Sequence, residues 1–169
     1  MISQPQDYLW SSKKNLMEII NQLHGILRWA VLLVIVFAIY RAWDGMQRKR
    51  IFDNTDNQAG LFLTIVIDTQ LLLGLALYFL GAWGLKNIQN MGMGAVMKDS
   101  YARFFAIEHI MMMLIAVILI HIGRSKSKKA IDDMAKHKKA FWFYLIAFII
   151  ILASIPWPFR KGFEALGWM

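Results

Sequence analysis

Cysteine is absent from the 169 residues. That absence excludes disulfides, thiolate zinc sites, iron–sulfur clusters and haem attached covalently through a CxxCH motif. Any metal or haem is left to histidine, methionine or carboxylate. Also missing are a glycine-rich phosphate loop, a GxSxG elbow and an HExxH pair, so hydrolytic or nucleotide-dependent chemistry has no visible equipment. Charge is scarce: 18% of residues are charged against 58% hydrophobic, and the mean hydropathy is +0.45. A chain this apolar belongs in a membrane. The net charge of +8 would suit nucleic acid, but the basic residues stand at the ends of apolar runs, where they orient a membrane chain and meet anionic lipid. Nucleic acid is therefore set aside as a partner, and the lipid bilayer takes its place. The first residues, MISQPQDYLWSSKKNL, lack an apolar core followed by a small-residue cleavage site and do not read as a signal peptide.

A helix needs about 20 mostly apolar residues to cross the hydrocarbon core. Four stretches have that length, at about 24–43, 61–83, 104–123 and 140–158, and aromatic or basic residues of the headgroup kind stand at their ends. Short polar connections favour antiparallel neighbours, so the expected fold is all-α: an integral membrane four-helix up-and-down bundle over residues 23–159. Residues 1–22 are read as a tail with a short amphipathic helix, capped at Ser11 or Ser12, that lies on the outer surface or extends the first span, with Gly25 as a possible bend. Residues 160–169 form the C-terminal tail. PWPF, 156–159, closes the fourth span. Eleven of the 19 Lys and Arg fall on the side of the first and third connections, which predicts that side as cytoplasmic and both termini as outside.

Depth sorts the polar residues inside the spans. His24 lies 17 residues above Arg41 and His109 lies 15 above Arg124, or about 25 and 22 Å at the helical rise. Two imidazoles at one level on different helices are what a b-type haem requires, with no covalent link. Arg28, one turn from His24, is placed to neutralise a propionate. Gly74, at similar height on the second span, leaves room for a flat macrocycle. The competing reading puts both histidines at the headgroups with no ligand.

Glu108 points about 100° away from His109 and is expected to pair with Arg28, Arg103 or another outer base. His121, some 18 Å from His109, cannot share a metal with it and reads as interfacial. Asp68, with Thr69 and Gln70, makes a polar notch about 12 Å into the second span. A proton relay or quinone contact there competes with an interhelical hydrogen bond or an ion pair to Arg28. The methionines of NMGMGAVMKDS and HIMMM read as adaptable packing rather than copper ligands. His137 reads as an ordinary member of the basic loop RSKSKKAIDDMAKHKK.

The pieces QLHGILRW, TQLLLG, AIEHI, GRSKSKK and IPWPF resemble a family of small bacterial four-helix membrane proteins commonly labelled "cytochrome b". The resemblance runs from Leu23 to Phe159. It implies haem b, respiratory electron transfer and residence in the bacterial cytoplasmic membrane, beside a quinone or a larger respiratory complex. The chain departs from that pattern where relatives carry further histidines, at Gln22 and at Asp68 or Thr69. Two readings therefore stand: a carrier with one haem between His24 and His109, and a haem-free accessory or assembly subunit.

Overall fold

The computed structural model describes residues 5–164, with side chains from residue 12 onward. Within that range all regular structure is helical. Helix α1 (Pro5–Gln47) leads through the turn at 48–53 into α2 (Asn54–Leu80). Three short helices follow, α3 (Leu85–Met91), α4 (Met93–Lys98) and α5 (Ser100–Arg103). A π-helical turn (Phe104–Glu108) then opens α6 (His109–Lys128), and α7 (Asp133–Ser154) completes the set. Four of the described helical stretches, 12–47, 54–91, 100–128 and 133–154, are long and apolar enough to cross a membrane.

The four long helices form one bundle in which α1 packs on α2 and α7, and α6 packs on the same two. Thus α1 and α6 face each other across a diagonal. Ile35, Leu63, Ile67, Ala116, Ile120, Ala147 and Ile151 fill the centre, all at most 2% exposed. Large apolar side chains such as Leu33, Leu72, Ile118 and Ile149 point outward. Apolar residues on both faces are what a helix facing core and lipid must carry. The chain is a multi-pass membrane protein built as an all-α four-helix bundle.

Polar chemistry sets the helix ends. Asp53 caps α2 by accepting from the Asp56 N–H at 3.0 Å while Asp56 accepts from the Asp53 N–H, a reciprocal capping box. Arg41 and Arg50 bind both carboxylates at 2.9–3.1 Å. Burial pushes the Asp53 carboxyl up, but the Asp56 N–H and the Arg41 guanidinium outweigh it and hold Asp53 at about 2. The same cluster raises Arg50, first through its hydrogen bond to Asp56. Asp132 caps α7 by accepting from the Ala135 N–H at 2.7 Å. At the other end α7 stops at Ser154, short of the expected 158, because Pro156 forces Ile155 into extended backbone (φ −77°, ψ 131°).

Two local expectations change. Helix α1 begins at Pro5 and runs through Gly25 without a break, so Ser12 is interior rather than a cap; the Ser11 side chain and residues 1–4 and 165–169 lie outside the described residues. Gly25 is buried, and packing there overrides its weak helix propensity. The connection between the second and third spans is helical rather than an open loop. It buries Val96, Ala102 and Ala106 against Ile88 and Ile107 as a small separate core.

Candidate functional site

The residue types of the sequence place His24 on α1 and His109 at the first position of α6, on diagonally opposed helices. The structure brings their rings to 6.4 Å between centroids, with planes at 70°. The π-helical turn immediately before His109 supplies the aim. An extra residue per turn shifts everything N-terminal to it around the axis, so Glu108 goes to the Arg103 Nε–H at 2.7 Å while His109 enters the bundle.

His109 is fixed by its Nδ1, 2.7 Å from the Ser154 carbonyl oxygen. That oxygen only accepts, so Nδ1 carries the proton and Nε2 keeps its lone pair. A histidine that ligates a metal is held in this way by its second nitrogen. Ser154 is fully buried and its hydroxyl donates back to the Ile151 carbonyl at 2.9 Å.

His24 has a different anchor. The amide Nε2 of buried Gln70 lies 3.0 Å from the His24 carbonyl oxygen and 3.2 Å from the His24 ring Nε2. Turning the amide over would set its oxygen against the His24 carbonyl, so the NH₂ group donates to both. The ring Nε2 therefore accepts and the proton sits on Nδ1, which is buried without a hydrogen-bond partner. Gln70 is thus a direct partner of His24 rather than part of one polar notch with Asp68. Gly74 lies under the same ring: a Cβ there would stand 3.2 Å from His24 Cε1. The space that glycine was expected to leave for a macrocycle is used by the imidazole itself.

Both histidines face a cavity of about 770 Å³, within the range of about 300–1,000 Å³ usual for small-molecule and cofactor sites. Leu71, Leu77, Ile110, Met113 and Ile151 make its apolar wall, and Trp83, Tyr101 and Phe105 add aromatic rings. Lys13, Lys14, Arg28 and Lys86 line it as well, with Glu18 as the one acidic residue among the described residues of the lining. The site is apolar with an excess of positive charge. Arg28 also lies over the Trp29 ring at 5.3 Å.

The remaining polar residues lie elsewhere. Asp68 accepts from His121 Nε2 at 2.8 Å, with both side chains nearly half exposed on the outer surface of α2 and α6. The ion pair with Arg28 weighed for Asp68 is not the one formed, and His121, read alone as interfacial, has a carboxylate partner. His137 is not a loop residue on the surface. It is fully buried, with Nε2 3.1 Å from the Arg50 carbonyl and its ring filling the notch at Gly45. Among the described residues no three His, Asp or Glu gather to hold a metal ion, but a haem asks only two axial ligands of the chain.

No family model, curated protein or solved structure matches the chain. The functional reading rests on the site alone.

Proposed function

We propose that the protein is a small electron carrier of a bacterial respiratory membrane, with one b-type haem between His24 and His109. The observation that carries this reading is the pair of imidazoles 6.4 Å apart across the diagonal of the bundle, on the wall of a large apolar cavity. A metal bonded to two imidazole nitrogens at about 2 Å holds them about 4 Å apart, with each ring centre roughly 1 Å further back. A centroid separation near that sum supports reading the pair as two ligands to one iron.

Bound there, haem would supply a one-electron couple, and two histidine ligands would leave no open position for a substrate. The chain supplies the rest. Ser154 fixes the His109 tautomer that presents Nε2. Gln70 can keep its bond to the His24 carbonyl while releasing the ring nitrogen. Lys13, Lys14, Arg28 and Lys86 suit the propionate carboxylates. The apolar wall excludes water, which tunes a potential through the dielectric. By the excess of Lys and Arg in the 48–53 and 129–132 turns and the helix ends around them, that end faces the cytoplasm and both termini face outward.

A second reading, a haem-free accessory or assembly subunit of a larger respiratory complex, is favoured by one observation. Gln70 already satisfies His24 Nε2, so the histidine is placed without any ligand. Titrating the purified wild-type protein with haemin separates the two. One equivalent bound with a low-spin bis-histidine spectrum, lost in His24→Ala and in His109→Ala, supports the carrier. Absence of binding, or binding unaffected by both substitutions, overturns it.

A further inference from the structure

Ionisable groups inside membrane spans are rare and nearly always face the bundle interior. Asp68 of α2 and His121 of α6 face the other way. They are paired at 2.8 Å with side chains 46% and 48% exposed. Around them on the same surface stand Ile65 and Leu72 of α2 and Ile118 and Ile122 of α6, all exposed, so the pair is set among apolar side chains of the spans rather than among the polar turns. The helices follow one another around the bundle as α1, α2, α6 and α7. The α2–α6 face is therefore the one opposite α1–α7.

The pair leaves hydrogen-bonding capacity unused. His121 Nε2 and Asp68 Oδ1 meet each other, while His121 Nδ1 and Asp68 Oδ2 have no hydrogen-bond partner among the described residues. The hydroxyl of adjacent Thr69 turns to its own helix and donates to the Ile65 carbonyl oxygen at 2.8 Å. Net charge in hydrocarbon is costly, and the pair avoids it in two forms, carboxylate with imidazolium or carboxylic acid with imidazole. In the first form Nδ1–H donates and Oδ2 accepts; in the second Oδ2–H donates and Nδ1 accepts. Either way the face carries one open donor and one open acceptor. Acyl chains satisfy neither.

We propose that the α2–α6 face is the interface of a homodimer, in which Asp68 of each copy hydrogen-bonds His121 of the other. A surface with one donor and one acceptor is complementary to itself. A twofold axis brings each open atom to its opposite, so a second copy closes both bonds at once and leaves the assembly without net charge at this level. The apolar side chains around the pair then pack against their own counterparts. Hydrogen bonds between helices are the usual polar link between membrane spans, where the hydrophobic effect gives no preference for a neighbouring helix over lipid.

The test uses the full chain in its membrane, with the cysteine-free sequence as a clean background. Single cysteines are placed beside the pair by Leu72→Cys and Ile118→Cys, and on the opposite face by Leu33→Cys and Ile149→Cys, and the membranes are oxidised. A disulfide-linked dimer is expected from Leu72→Cys or Ile118→Cys and not from the other two, with its yield cut roughly tenfold when Asp68→Leu and His121→Leu are added. No cross-link beside the pair, equal cross-linking on both faces, or a yield untouched by the two leucines overturns the proposal. Native mass spectrometry of the wild type released from lipid nanodiscs gives a second measurement. A dimer that becomes a monomer in the Asp68→Leu, His121→Leu variant supports the interface; a monomeric wild type, or one held at this face by a different membrane protein, contradicts it.

Discussion

At the scale of single residues, chain distance along straight helices was enough to set His24 and His109 at one level, and the structure places their rings side by side. What held each ring was not legible. The Ser154 carbonyl and the Gln70 amide come from helices whose facing no pattern could fix, since every long helix is apolar all round. His137 was misread because it stands among lysines; only the missing side chain at Gly45 marks the notch it fills, and that match is made by packing. Three substitutions follow. Gly45→Ala puts a methyl into the rigid His137 ring and is expected to cost about 1–3 kcal/mol by overpacking, whereas Gly94→Ala, with nothing within 4 Å, is expected to be neutral or stabilising by up to about 1 kcal/mol. Thermal unfolding in detergent measures both, and equal losses would contradict the packing. Gln70→Leu frees His24 Nε2, so haem retention is expected to rise; weaker retention would show that Gln70 supports the ligand instead of competing for it.

At the scale of elements, the four spans were legible from length and hydropathy, because a bilayer demands about 20 apolar residues per crossing. Their ends were set by chemistry that periodicity does not report: the capping box at Asp53, the cap at Asp132, the break before Pro156 and the π-helical turn before His109. The caps can be tested separately. Asp132→Ala removes the oxygen that accepts from the Ala135 N–H and is expected to cost about 1 kcal/mol, read as a lowered Tm. Asp53 gives a pH signature. Its carboxyl stands at about 2 in the folded protein against an ordinary 3.8, so it stabilises above about pH 4 and loses that contribution as pH falls through 2. The stability difference between the wild type and Asp53→Asn is therefore expected to be constant at pH 5–7 and to shrink below pH 4. A difference that grows on acidification would contradict the assignment.

At the scale of the whole molecule, the bundle offers a chain without cysteine a way to hold the haem we propose. Two helices that do not touch in sequence order, α1 and α6, meet across the diagonal and present one imidazole each to a cavity with basic side chains in its lining. The missing cysteines also make the orientation easy to read. In intact cells, an impermeant maleimide is expected to label Lys13→Cys and to leave Lys129→Cys unlabelled until the membrane is opened; the reverse pattern would invert the bundle. The central claim is reached most directly by a dithionite-reduced minus oxidised visible spectrum of the purified protein, with the haem quantified as its pyridine haemochrome. One b-type haem per chain, with sharp reduced α and β bands, is the predicted result. A colourless, folded preparation that takes up no added haemin would contradict it.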